Sequence, residues 1–591
     1  MQRHSLTRIG PGGWRGPGRS LIAATLGGAL LAGGCSSPPI PEGWEALGPR
    51  KGGHVGPPID AGEAGTGRFV EAVLGSFEAP AAMALAEEFD AERRPPASEG
   101  YDRAVDRLIA TLFGAGYGDE DAGADAGFLL EVISEPMAQP SWTPISAEIA
   151  VRGRGARGRT RRIVLAGFSE ASDEQRTLLP EGVPSYAVSG APVFALEDVV
   201  EGSVFVTDQP LGEVSLEAAE RGAAAVVSSF QLPYAKDPTG SDRHFDAIFD
   251  GHVQPGATLP AMYVSLRTAE SIQQAARAGG SLDLRSEVRT AVRELRTVVA
   301  TIVGAERPEE VVYVVAHVSG SGANDNAAGA GAVVELARTI KRLISAGTIE
   351  RPRRSIRFVF GDEAGAGGTA LDHATDIPVA GIVADMIGAS YARTGAICLL
   401  ERGWDPGAVR PLSPDVHTPR GAGSVAGKDI LPNGLSIVLR QALVDVGESV
   451  VASGETPWAT REHPWEGGGD HDDFLDRGVA AALVWHFTDF AYSTSLDRMD
   501  HVDAEELRRT TCAIGAAALA VADMVPGDLR RHLDSLNLEA KLRMDAARAE
   551  GGEGLQDAWK DWFVGARFWL RALAGGEPLP DIDTLEPIGD E

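Results

Sequence analysis

Apolar residues in this chain fall into short unbroken runs that alternate with stretches of helical spacing. The clearest run, residues 311–316 (Val-Val-Tyr-Val-Val-Ala), is β-branched and aromatic throughout and predicts a strand buried on both faces. It ends in His317. Downstream, Val333, Ala337, Ile340 and Ile344 recur at helical spacing, with Leu336 and Leu343 beside them. Further runs at 357–360, 379–384 and 481–484 predict more buried strands. Strand, loop and helix in this order predict an open α/β sheet that displays ligands at its carboxyl edge.

The loops after these runs carry the candidate chemistry. Residues 322–329, Gly-Ala-Asn-Asp-Asn-Ala-Ala-Gly, set Asp325 in a glycine-flanked loop between strand and helix. The run at 357–360 leads into Asp362 and Glu363, and the run at 379–384 leads into Asp385. Three successive strands therefore deliver His317 with Asp325, Asp362 with Glu363, and Asp385 to one rim. Imidazole and carboxylate are the ligands zinc prefers when thiolate is absent. Adjacent carboxylates let one hold metal while its neighbour handles protons. A lone acid after a strand is more often a helix cap or a solvated charge. The convergence of these residues favours a metal site.

The order of the motifs resembles the M28 family of zinc aminopeptidases. The resemblance rests on the His after a strand, the Gly-Ala-Asn-Asp-Asn-Ala loop, the Asp362-Glu363 pair, Asp385-Met386-Ile387-Gly388 and Tyr492-Ser493-Thr494. A glycine run into Asp470-His471, ending at Phe474, and the start of the strand at 478–481 fit the same pattern. It covers roughly 69–524, with one interruption. It implies a zinc-exopeptidase-like fold: a mixed, mostly parallel central sheet with helices on both faces. It also implies two zinc ions, bridged by Asp325, with His317 and Asp385 completing one site and Glu363 belonging to the other. Asp362 falls at the place of the general base, peptides are the implied substrates, and removal of N-terminal residues is the implied reaction.

Three departures stand at or beside that chemistry. Asp362 replaces the usual Glu and is shorter by one carbon–carbon bond, roughly 1.5 Å. Ser493 stands where the family's Tyr-His-Thr supplies an imidazole. Ser319 stands where an Asp would orient His317. His486, which follows the run at 481–484, is the favoured substitute ligand, ahead of His471 and His463. Three functions follow in order: a zinc aminopeptidase, a degenerate relative that binds peptides or amines without turnover, and a glutaminyl-cyclase-like acyltransferase. The last ranks lowest, because its single zinc needs the missing late His.

The interruption contains its own strand and helix signals, at 202–207, 216–222, 223–227 and 259–265, and resembles the protease-associated (PA) domain. Helical spacing resumes at 507–524 and again at 529–573, where Trp559, Trp562, Phe563, Phe568 and Trp569 read as packing. The expected division is signal peptide 1–34, Pro/Gly-rich tether 35–66, peptidase parts 67–180 and 291–525, PA-like insert 181–290 and helical extension 526–591.

The first residues combine arginines with an apolar run at 21–31, too short for a membrane span of about 20 residues and suited to a secretory signal. Leu-Ala-Gly-Gly-Cys at 31–35 resembles the bacterial lipoprotein processing box. It makes Cys35 the lipidation site and implies a cell-envelope protein, with Ser36 favouring the outer membrane, facing periplasm or exterior. Contact with membrane is then expected only through this anchor. The remaining cysteines, Cys398 and Cys512, are too few for a disulfide framework. With 591 residues, 43% of them hydrophobic, the chain supports two or three domains. A net charge of −30 disfavours nucleic acid as a partner.

Overall fold

The apolar runs become the strands of an eight-stranded sheet in a computed structural model that describes residues 64–118, 127–154, 160–235, 244–254, 256–363, 365–410, 413–415, 417–418, 423–549 and 553–575. The signal-like start, Cys35 and nearly all of the tether lie outside the described residues. Helices α1 (Gly67–Ser76), α2 (Ala79–Asp90) and α3 (Glu99–Gly114) come first. Strands β1 (Phe128–Pro136), β2 (Ser141–Arg154), β3 (Thr160–Phe168), β4 (Tyr186–Gly190) and β5 (Pro192–Val193) follow. Next come β6 (Val204–Thr207), α4 (Leu211–Glu220), β7 (Ala225–Ser228), β8 (Ala261–Tyr263), α5 (Leu266–Arg277) and β9 (Ser281–Ala291).

The second half runs β10 (Glu294–Ile302), β11 (Arg307–His317), α6 (Ala327–Ser345), β12 (Arg354–Gly361), α7 (Ala366–His373) and β13 (Ile377–Ala384). It continues through α8 (Tyr391–Thr394), β14 (Ile397–Glu401), α9 (Leu435–Ala452), β15 (Thr460–His463), α10 (His471–Leu475) and β16 (Ala481–Phe487). Helices α11 (Ala504–Ala522), α12 (Pro526–Ala549) and α13 (Glu553–Gly575) close the described chain.

The main sheet has the order β1-β10-β12-β11-β13-β16-β14-β15. Its centre, β12-β11-β13-β16, is parallel, and antiparallel pairs flank it. The unbroken apolar run has a direct cause here. Val312, Val314 and Ala316 point into the core under α6 and α11, while Val311, Tyr313 and Val315 point into the core under α7 and α10. Full burial of one such valine stabilises by roughly 1.5–3 kcal/mol, so a strand covered on both sides tolerates no polar alternation.

β1 and β10 pair antiparallel from Phe128 opposite Ile302 to Pro136 opposite Glu294. Everything between Pro136 and Glu294 is therefore an insertion at the open end of this pair. It builds a sheet of order β3-β2-β9-β4 and a parallel sheet of order β5-β6-β7-β8, around a hydrophobic core of its own. Sheet membership changes at Ser141 and returns after Ala291, so β2 and β3 pair with β9 although both precede residue 181.

Helix α13 adds Trp559, Trp562, Phe563, Trp569 and Leu570, and α12 adds Leu536 and Ala547, to the same core as α6 and α11. Among the described residues His532 of α12 is fully buried and neither ring nitrogen has a hydrogen-bond partner. Burial pulls its pKa down to about 4, against Asp528 and with help from Arg531. The folded value lies below the unfolded value of about 6.5, so this contribution is complete above pH 6.5 and is lost as pH falls towards 4. The full difference is on the order of 3 kcal/mol. Urea midpoints measured across that window should fall less steeply for His532→Leu than for the unsubstituted protein; parallel curves would remove His532 from the acid response.

Candidate metal centre

Because β12, β11 and β13 are adjacent and parallel, their carboxyl ends bring three loops to one edge. His317 closes β11, Asp362 follows β12 and Asp385 follows β13. His317 Nε2 lies 3.1 Å from Asp385 Oδ1 and 3.3 Å from Asp325 Oδ1. One donor atom from each of these three residues lies within 4.8 Å of the others. Nitrogen with two carboxylate oxygens is a donor set that fits zinc.

The ring of His317 is fixed from its far side. With Nδ1 protonated, it donates to the Ser319 carbonyl at 2.9 Å, which leaves the Nε2 lone pair facing the two acids. The missing Asp at 319 therefore does not leave His317 unoriented, because the backbone of the replacing serine takes over that contact. Its hydroxyl serves the neighbouring loop, accepting the Glu363 N–H at 3.0 Å and hydrogen-bonding the Asp362 carboxyl.

Burial opposes charge on His317, yet Asp385, Glu363 and Asp325 outweigh it and hold its pKa well above the ordinary value. Burial raises Asp385, with His317 opposing and Asp325 adding. Burial also pushes Glu363 up to about 7, with His317 opposing and Asp325, Asp385 and Asp362 adding. Asp362 is raised chiefly by burial. The cluster holds more acid than its one imidazole can balance, which is the electrostatics of a cation site.

The asparagines beside Asp325 are struts. Asn326 accepts the Met386 N–H at 3.2 Å and donates to the Ala384 carbonyl at 3.0 Å; Asn324 accepts the Gly388 N–H at 3.2 Å. They lock the Asp325 loop to the Asp385 loop. Gly329 permits this approach, since a Cβ there would meet the Asn326 side chain and come within 2.8 Å of the Ala384 carbonyl.

Residues from distant parts of the chain complete the support. Arg94 is fully buried and donates to the carbonyls of Val318 at 2.7 Å and Gly322 at 3.0 Å, as well as to Phe89 and Glu92. Burial pulls its pKa down only to about 10, so it stays charged at neutral pH. Asp497 accepts the N–H groups of Asn324 at 2.7 Å and Asp325 at 2.9 Å. Arg176 binds Asp90 and the Ser321 carbonyl. Asp470, at the start of α10, is 2% exposed, and neither carboxyl oxygen has a hydrogen-bond partner among the described residues. Burial first, then Glu363 and Asp385, push its pKa well up, with His317 opposing.

The other expected residues lie elsewhere. Glu363 is outside the three-donor group. His486 does not join it either. Side chains alternate along β16, so Trp485 and Phe487 face one core while His486 turns to the other, where Nε2 lies 3.3 Å from Glu506 of α11. His471 pairs with buried Glu401 at 3.0 Å, and His463 accepts from the Trp485 indole at 3.1 Å. Ser493 adopts φ +52°, and its carbonyl accepts the Asp250 N–H at 2.7 Å.

Residues 297–390, which contain His317, Asp325, Asp362, Glu363 and Asp385, match the model of peptidase family M28. The match spans the segment that carries the candidate metal residues, and it is that segment which is similar to family M28. No curated protein matches its sequence. Among solved structures it is similar to a zinc aminopeptidase from Bacillus subtilis, with 15% identity, 75% of this chain and 94% of that one covered, and a TM-score of 0.46. A peptidase M28 precursor from Shewanella amazonensis gives 17% identity, 77% and 96% coverage and a TM-score of 0.48. A putative peptidase from Clostridium acetobutylicum gives 12%, 78%, 83% and 0.49.

Proposed function

We propose that this protein is an M28-type zinc-dependent aminopeptidase that removes N-terminal residues from peptides. The observation that carries the reading is the three-donor group of His317, Asp325 and Asp385 at the carboxyl edge of the sheet. Zinc bound there supplies a Lewis acid that polarises a carbonyl and activates water. The chain's own residues do the rest. His317 is aimed by the Ser319 carbonyl, Asp325 is set by Asp497 and the two asparagines, and Asp362, steadied by the Ser319 hydroxyl, carries protons to and from the reacting atoms. The N-terminal pattern supports an envelope lipoprotein anchored through Cys35.

The test is hydrolysis of amino-acid anilides together with zinc analysis. Asp362→Asn should lose on the order of 100-fold or more in kcat, the range for a removed proton carrier, while keeping its zinc. Unchanged turnover would take that role away from Asp362. A second reading, peptide or amine binding without turnover, is favoured by one observation: among the described residues no imidazole joins Glu363, since His486 is paired with Glu506. Peptide binding by a zinc-loaded protein that hydrolyses nothing would establish it.

A further inference from the structure

The insertion does not hang free of the rim. Its residues 248–250 run beside 493–495, with Phe249 opposite Thr494 as an antiparallel bridge. The Asp250 N–H donates to the Ser493 carbonyl at 2.7 Å and the Ser495 N–H to the Ile248 carbonyl at 2.8 Å. The Ile248 N–H donates to the Ser495 hydroxyl at 3.2 Å. Behind this contact the segment is tied down by the Thr177 hydroxyl, which donates to the Ile248 carbonyl at 3.0 Å, and by the Glu181 N–H, which donates to the Gly251 carbonyl at 3.2 Å. The His244 ring stacks on Phe490 with centroids 5.4 Å apart, and Tyr234 meets Phe487 edge-on at 5.3 Å.

Backbone pairing alone would suffice for docking, yet the Asp250 carboxylate is also committed. One oxygen accepts from the Ser321 hydroxyl, and the other accepts from Arg93 Nη2 at 3.3 Å. Arg93 in turn donates to the Arg176 carbonyl at 2.9 Å, and Arg176 holds the Ser321 carbonyl. Ser321 lies four residues before Asp325, in the loop that sets this donor. A single acid of the insertion therefore grips the metal loop with its side chain. With its N–H it grips the segment of Ser493, where the family pattern expects an imidazole.

We propose that Asp250 is a positioning residue that makes metal affinity depend on docking of the insertion. This rests on the metal site of the preceding reading. A ligand loop held in its binding geometry beforehand loses less entropy when the ion arrives. Arg94 and Asp497 support that loop from within the peptidase layers and remain when the insertion lifts away. Loss of Asp250 therefore weakens the site without abolishing it.

The experiment uses the full chain and three variants, Asp250→Ala, Asp250→Asn and Ser321→Ala. Zinc affinity is measured against a competing chelator, cobalt absorption reports ligand geometry, and hydrogen exchange reports docking at 248–250 and 493–495. Asp250→Ala should lose about 10–100-fold in zinc affinity, the range for a lost partner of a metal ligand, with faster exchange in both segments. Asp250→Asn, which keeps an acceptor for Ser321, should recover most of the affinity. Ser321→Ala should lose affinity and alter the cobalt spectrum while both segments stay protected. Unchanged affinity in either alanine variant overturns the coupling. An unsubstituted protein that binds no zinc overturns the metal reading together with it.

Discussion

Zinc content should fall to background when His317 is replaced by alanine. Its Nε2 is the one nitrogen donor in the group, and the side chain lies fully buried between Asp325 and Asp385. Removal of a partner behind a ligand weakens metal binding about 10–100-fold, so removal of the ligand itself should exceed 100-fold. The loss is compounded electrostatically, because Asp470, pushed up by burial and then by Glu363 and Asp385, loses the opposing charge of His317. Metal analysis on the purified variant, with circular dichroism to confirm folding, checks the result. His486→Ala is the control and should keep its zinc, since that ring serves Glu506. A full complement of zinc in His317→Ala would dissolve the three-donor group.

The second large effect concerns stability. Arg94→Met should cost about 3–5 kcal/mol, because several buried carbonyls lose their donor at about 1–3 kcal/mol for each one left unsatisfied. The guanidinium satisfies the carbonyls of Phe89, Glu92, Val318 and Gly322, and its backbone pairs with Gly320 in both directions. Methionine fills similar volume but donates nothing, so these carbonyls lose their partners in a dry interior. Urea denaturation checks it, and a midpoint shift worth less than about 1 kcal/mol would mean water replaces the arginine without penalty. Zinc affinity should fall alongside, because Val318 and Gly322 bracket the metal loop.

Much of the site was legible because its donors end unbroken apolar runs. A strand buried on both faces has no polar position until it leaves the sheet, so His317, Asp362 and Asp385 mark strand ends in the sequence. The supports were not legible for the opposite reason. Arg94, Arg176 and Asp250 are brought to the loop by elements far away in the chain, and a buried arginine has no sequence signature that sets it apart from a solvated one. Asp497 kept the rhythm of acids after Ser493, but its two backbone contacts needed the fold to appear. His486 has its orientation written in the alternation of its strand. It shares strand parity with Ala482 and Val484, which face the α11 side. Alternation along β16 alone directs it away from the position of Trp485 and Phe487.

The split pair of β1 and β10 has a consequence for how the chain comes together. Pro136 and Glu294 must meet across the whole insertion, and closing a loop of that length as open coil is slow as well as entropically unfavourable. An insertion with its own core can fold first and return its two ends side by side at β2 and β9, which turns a distant pairing into a local one. Pairing of β1 with β10 at the edge of the main sheet then becomes a short closure between neighbouring ends.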